Sequence, residues 1–447
     1  MPETFDLALI GGQCWTLEGL RKADIGIRSG RIAKLGSISP TAADKVIKAD
    51  GLTILPGVID SQVHFREPGP THKEDLETGT RSAVLGGVTA IFEMPNTQPP
   101  TIDAAQLAEK LKLARNRAWC DHAFFVGAAA ANAQELGDLE RLPGCSGVKI
   151  FMGSSTGSLL VPDDETLEAV LRSGHRRIAI HAEDEQRLKE RAEIAQNSGD
   201  PVSHPEWRDV ETARRATERI LNLARKTGRR IHVLHVTTAE EMAILAAAKD
   251  IATVEVTPQH LTLEAPECYQ RLGTKAQMNP PIREAHHREA LWQAIDQGIV
   301  DCIGSDHAPH TLEEKAKPYP ASPSGMPGVQ TLLPLLLNHM AEGRLGLSRL
   351  VDLTSGGPAR IYNVAGKGRI ARGYDADFTI VDLAAKRRIE SAWLASKCGW
   401  SPFEGMTIKG WPMMTIIRGN VVMRDGSVQD KAIGRPVRFT ETLEPIG

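Results

Sequence analysis

Between residues 54 and 310, eight short runs rich in β-branched and other apolar residues alternate with longer stretches of helical character. Repeated βα units of this kind constrain the fold more than any other feature, because eight such strands are the number that closes a parallel barrel. The runs lie at 54–64, 89–94, 122–127, 147–152, 177–181, 231–236, 253–257 and 301–306. Helix starts carry local support, as at Thr238 with Glu241 three residues on, the spacing of a capping box. The expected fold is α/β, a TIM (β/α)8 barrel. Its reactive groups belong at the carboxyl ends of the strands.

Segments 5–48 and 367–437 have another texture, short alternating runs separated by glycine, such as Asp377-Phe-Thr-Ile-Val381 and Thr415-Ile-Ile-Arg-Gly419. They predict a small composite β-sandwich module built from both chain ends. The expected organisation is therefore 1–53 and 365–447 in the module, with 54–364 in the barrel. Segment 315–328 carries four prolines and two glycines and reads as a loop over the barrel mouth.

Composition narrows the function classes. A net charge of -3 with interspersed acids and bases leaves no basic footprint for nucleic acid or an anionic membrane. The start of the chain, with Glu3 and Asp6, does not read as a signal peptide. The densest apolar run, 332–337, is broken by Pro334 and is far shorter than the ~20 residues of a membrane span. Six scattered cysteines fit reduced thiols, so a cytoplasmic enzyme with a small-molecule substrate is expected.

The strongest chemical element is Gly304-Ser-Asp-His-Ala-Pro-His310 at the end of the eighth run. Asp306 would sit at the rim, able to bind a metal and exchange a proton, or simply to cap a turn. Gln62 and His64 lie two apart and share a face. His64 suits a metal, whereas the Gln62 amide is at best a weak neutral ligand and otherwise a hydrogen-bonding group. Arg66 follows on that face and suits a substrate carboxylate. Lys149 stands within an apolar strand, so it must be ion-paired, neutral or modified; carbamylation would make it an anionic ligand.

His181 and His235 close two further runs and suit neutral-imidazole metal ligation. His232, three residues before His235, should point to the opposite face, leaving it as packing or support. Asn96 and Asn279 follow strand runs beside proline and either contact a ring amide or cap turns. His260 is ambiguous on the same grounds and is left outside the ligand set.

Together these residues resemble the dihydroorotase branch of the amidohydrolase superfamily. The similarity runs through Leu55-Pro-Gly-Val-Ile-Asp60, His64-Phe-Arg-Glu-Pro-Gly69, Met94-Pro-Asn-Thr97, His181-Ala-Glu-Asp184, His235-Val-Thr-Thr238, Met278-Asn-Pro-Pro281 and 304–310 with Lys315. The resemblance implies one or two zinc ions held by His64, Lys149, His181, His235 and Asp306, with Lys149 carbamylated. It implies that Arg66, Asn96, Asn279 and His310 hold substrate and that Asp306 shuttles a proton. The implied reaction is reversible interconversion of L-dihydroorotate and N-carbamoyl-L-aspartate, in a homo-oligomer, dimer or tetramer, that can partner aspartate transcarbamoylase. Neighbouring readings are an allantoinase or hydantoinase, or a non-catalytic homologue. Gln62 departs from the branch by replacing the first histidine of a His-x-His pair, and Lys149 stands in a context closer to hydantoinases and allantoinases.

Overall fold

The computed structural model describes residues 4–154 and 159–442; Glu3, part of the acidic start, lies outside them. Eight parallel strands form one sheet in sequence order: Val58–Val63, Val88–Glu93, Asp121–Gly127, Cys145–Phe151, Ile178–His181, Ile231–Val233, Ala252–Val256 and Cys302–Ile303. Between first and last, a parallel bridge joins Val63 to His307, and the His64 amide donates to the His307 carbonyl at 2.7 Å. That contact closes the barrel, as the eight runs predict.

Helices cover the outside because each turns an apolar stripe to the strands. The longest, Val210–Thr227, starts where Asp209 accepts from the Thr212 amide and stops at left-handed Gly228. Its buried stripe includes Ala213, Ala216, Ile220 and Leu223 at helical spacing. The third crossover departs from the pattern, with a 3-10 turn at Ala130–Asn132 and a single α-helical turn at Leu136–Leu139. Thr238 caps its helix as expected, but the Glu241 carboxylate accepts from the Thr238 hydroxyl at 2.9 Å. No helix among the described residues is long and apolar enough to cross a membrane. The run at 332–337 opens the helix Leu332–Ala341 on the barrel wall.

The flanking module has two sheets. Strands Phe5–Ile10, Asp24–Arg28, Arg31–Gly36 and Ala43–Lys48 make one; Thr53–Pro56 joins Gln13–Thr16, Gly19–Lys22, Phe378–Arg388, Thr407–Ile417, Asn420–Arg424 and Ser427–Val428 in the other. Leu9, Ile25 and Ile27 from the first meet Ile54, Ile380 and Ile416 from the second in one apolar cluster, so the two sheets share a core.

Three strand expectations need correction. The run 54–64 is two strands, one in the module and one in the barrel, broken at Gly57, where a Cβ would meet the Thr89 hydroxyl at 2.3 Å. The runs 231–236 and 301–306 are strands only over Ile231–Val233 and Cys302–Ile303, because His235 and Asp306 turn into left-handed conformations with φ of 38° and 45°.

Candidate active site at the barrel rim

Those left-handed turns build the site. A strand alternates its side chains, so His232 and His235 should face opposite ways. The turn at His235 breaks that alternation, and both imidazoles reach the barrel interior, His232 deep among Thr253, Glu255 and Cys302 and His235 at the rim. The expectation that only one enters is thus corrected. Arg66 is left-handed too, with φ of 63°. Such conformations cost about 1–3 kcal/mol each and persist where the surrounding structure fixes them.

Gln62, His64, Lys149, His181, His235, Asn279 and Asp306 line one cavity, with Phe151, Ala308, Ser324 and Gly325 among its walls. His64 Nδ1 meets Asn96 Oδ1 at 2.8 Å, and its Nε2 lies 3.2 Å from Asp306 Oδ1. The Gln62 amide nitrogen donates to that same carboxylate oxygen at 3.0 Å, while Gln62 Oε1 is buried without a hydrogen bond.

Across the cavity, His181 Nδ1 and His235 Nε2 face each other at 3.1 Å. His181 Nε2 lies 3.0 Å from Glu183 Oε2, close but poorly aligned for a hydrogen bond. Burial pushes Glu183 up, but Arg208 and His181 outweigh it and hold the carboxyl well below the usual range. Glu183 therefore stays an anion and favours the proton on His181 Nε2, leaving the Nδ1 lone pair toward His235. Burial, then the charges of His181 and Lys149, lower His235 well below an ordinary histidine.

Lys149 is 1% exposed, and burial pushes its ammonium down to about 7 against the opposing charges of Asp306 and Glu255. Among the described residues no carboxylate lies within ion-pair distance of its Nζ, which stands over the Phe151 ring, 4.6 Å from the centroid. The ion-pair reading of Lys149 is therefore corrected, leaving a neutral or modified amine.

These donors fit a divalent cation. Two facing imidazoles, an anionic carboxylate and a buried amine able to become a carbamate are the N and O donors that zinc takes. At the same site His235 Nδ1 and Gln62 Oε1 are buried without hydrogen-bond partners, polar atoms that the chain alone does not satisfy.

Arg66, Asn96 and His310 stand behind this lining. Arg66 is 6% exposed; its Nε donates to the Pro309 carbonyl at 3.4 Å, and an Nη lies 3.4 Å from His310 Nε2. Burial lowers the guanidinium only to about 10, so it remains charged. Among the described residues no carboxylate lies within ion-pair distance of it. Lys73 Nζ donates to His310 Nδ1 at 3.1 Å, and His310 Nε2 donates to the Ser324 carbonyl at 3.0 Å. Burial, then Arg66 and Lys73, keep His310 neutral; Lys73 pairs with Glu314 at 2.9 Å, so the positive charge at this end without a carboxylate partner is Arg66.

Several participants escaped the sequence reading. Lys73 had no signal beyond its charge. Glu183 follows His181 at strand alternation, and that spacing could have marked it. His204 holds Asn279 Oδ1 at 3.0 Å from a distant helix, which no local pattern reveals. His260 bonds Thr257 and the Pro280 carbonyl and does not line the cavity. Lys315 donates to the carbonyls of Gln277, Pro323 and Gly325, pinning the proline-rich loop over the mouth.

Comparison with known proteins gives one answer at family level. Residues 53–422 match the model of the amidohydrolase family. The chain is 38% identical to the dihydroorotase of Methanosarcina acetivorans over 92% of its own length and 91% of that protein, and 36% identical to that of Halobacterium salinarum over 94% and 97%. Among solved structures it superposes on the L-hydantoinase (dihydropyrimidinase) of Arthrobacter aurescens with a TM-score of 0.92 at 29% identity, covering 97% of this chain and 100% of that one. The dihydropyrimidinase of Brevibacillus agri gives 0.90 at 28%, covering 98% and 99%.

Proposed function

The chain belongs to the amidohydrolase family, and on that premise we propose that it hydrolyses a cyclic amide bearing a carboxylate, interconverting L-dihydroorotate and N-carbamoyl-L-aspartate. The observation that carries this reading is Arg66, a buried, charged guanidinium without a carboxylate partner, behind the wall of the cavity. Unpaired buried charge is costly, and a substrate carboxylate would answer it with a two-pronged hydrogen bond. A hydantoin or allantoin ring lacks that group.

His181, His235, Lys149 as its carbamate, His64 and Asp306 would hold one or two zinc ions. The neutral amine that burial gives Lys149 is the form that adds CO2. Bound there, a cation would supply Lewis acidity to the ring carbonyl and to water. Asp306, steadied by the Gln62 amide on Oδ1, takes the proton of the attacking water on its carboxylate and returns it to the departing ring nitrogen. Asn279, fixed by His204, faces the ring, and Asn96 orients His64 through Nδ1. Glu183 orients His181.

In the cell we propose a cytoplasmic homo-oligomer that can associate with aspartate transcarbamoylase, whose product is the acyclic partner of this reaction. The high structural similarity to hydantoinases favours a second reading, an unsubstituted cyclic amide as substrate. Arg66→Gln separates the two. For dihydroorotate, kcat/KM should fall about 100-fold, chiefly through KM, as loss of a charge-assisted pair worth about 3 kcal/mol implies. An unchanged value would assign the site to a substrate without a carboxylate.

A further inference from the structure

Deeper in the barrel than the rim cavity lies a second group of ligand-type side chains that the proposed reaction does not use. His232 on the sixth strand, Glu255 on the seventh and Cys302 on the eighth are each fully buried. His232 Nε2 lies 3.6 Å from Glu255 Oε2 and 3.6 Å from Cys302 Sγ, and Cys302 Sγ lies 3.6 Å from Glu255 Oε2. The centre of that triangle is about 2.1 Å from every corner. An ion at or just off the centre meets the ~2.0–2.3 Å that zinc keeps to nitrogen, oxygen and sulfur.

The surrounding hydrogen bonds orient the three donors inward. The Thr253 hydroxyl donates to the Ile231 carbonyl, so its oxygen accepts from His232 Nδ1–H at 2.8 Å. The His232 Nε2 lone pair then faces the triangle beside the Glu255 carboxylate, also an acceptor, and the one proton among the three is the Cys302 S–H, which donates to Glu255 Oε2. The Ser61 hydroxyl donates to Glu255 Oε2 at 2.8 Å and lies 3.9 Å from Cys302 Sγ. Glu255 Oε1 is buried with no partner. Gly304 leaves room for this carboxylate, since a Cβ there would stand 2.7 Å from it.

We propose that His232, Glu255 and Cys302 form a structural site for a zinc-type divalent cation, separate from the reaction centre at the rim. Nitrogen, carboxylate oxygen and thiol together select a borderline-soft transition ion over magnesium or calcium. Binding releases the thiol proton to solvent, and the resulting thiolate and carboxylate balance the ion. The ion would tie together the sixth, seventh and eighth strands, which have only three, five and two residues, and through Ser61 the first. This inference does not depend on which amide the rim cleaves.

The test uses the full chain expressed in cobalt-supplemented medium. None of the rim donors is sulfur, so a near-ultraviolet sulfur-to-cobalt charge-transfer band reports this site alone. The expected result is such a band in the wild-type protein, its loss in Cys302→Ala with one fewer cobalt per chain, and retention of the visible bands of the rim site. Cobalt protein with the visible bands but no charge-transfer band overturns the proposal while leaving the proposed reaction intact. Because that result is read on the wild-type chain, the proposal stays falsifiable even if Cys302→Ala does not fold. A band that Cys302→Ala leaves in place overturns it equally.

Discussion

Asp306 stands at the meeting of two hydrogen-bond systems, with Gln62 Nε2 and His64 Nε2 both directed at Oδ1. An amide at this place gives Asp306 a neutral donor where a second imidazole would offer a lone pair, so one side chain is committed to orienting the carboxylate. Asp306→Asn keeps the shape and removes the base; steady-state assays should show turnover reduced about 1,000-fold, and full activity would contradict the shuttle role. Gln62→Ala should leave the metal content of purified protein nearly unchanged, and Gln62→His should raise it, both read by elemental analysis. A large loss of metal in Gln62→Ala would show the amide to be a strong ligand. The residue types at these positions were readable from the chain, because strand ends concentrate chemistry in a barrel. Their supports were not: Lys73, Glu183 and His204 act through contacts closed only by the fold.

At the scale of elements, the strand runs were legible because apolar β-branched residues must fill the space between lumen and helices. Their ends were not. Nothing in the composition of 231–236 or 301–306 announces a left-handed turn at His235 or Asp306, yet those turns carry the side chains to the rim. Gly57 hid a boundary in the same way, since the run on either side of it stays apolar across two different sheets. The helix Val210–Thr227 illustrates a feature that local chemistry does fix. Asp209 caps it and pairs with Arg187 and Arg191. Burial raises its carboxyl, but Arg187 and Thr212 outweigh this and bring it down to about 2. A carboxyl depressed on folding contributes stability present above its unfolded value near 4 and lost as pH falls toward 2. Asp209→Ala should therefore cost about 1–2 kcal/mol at neutral pH in urea unfolding, with the deficit shrinking between pH 4 and 2. An equal deficit at both ends would exclude the charge as its source.

Over the whole molecule, barrel and module are joined by a buried charge cluster at the bottom of the third strand. Lys367 pairs with Asp121 of the barrel at 2.7 Å and with Asp377 of the module, and Arg418 reaches Asp121 from the module side. Burial opposes the Lys367 charge, but its three aspartates, Asp377, Asp121 and Asp375, hold its ammonium above the ordinary value. Removing the cation strands carboxylates in the interior, so Lys367→Met should cost about 3–5 kcal/mol by chemical unfolding. A loss below 1 kcal/mol would mean that the apolar contacts alone hold the two parts together. The composite module itself was visible in the sequence as glycine-punctuated runs at both ends, whereas this clamp joins residues 246 positions apart and was not.

The central claim, a cyclic amidase selective for a ring bearing a carboxylate, is tested most directly by turnover of L-dihydroorotate by purified, zinc-supplemented protein. The reaction is followed in both directions beside allantoin and hydantoin. The expected result is reversible turnover of dihydroorotate with little activity on the two controls. Turnover of a control with none of dihydroorotate, or silence on all three, would contradict it.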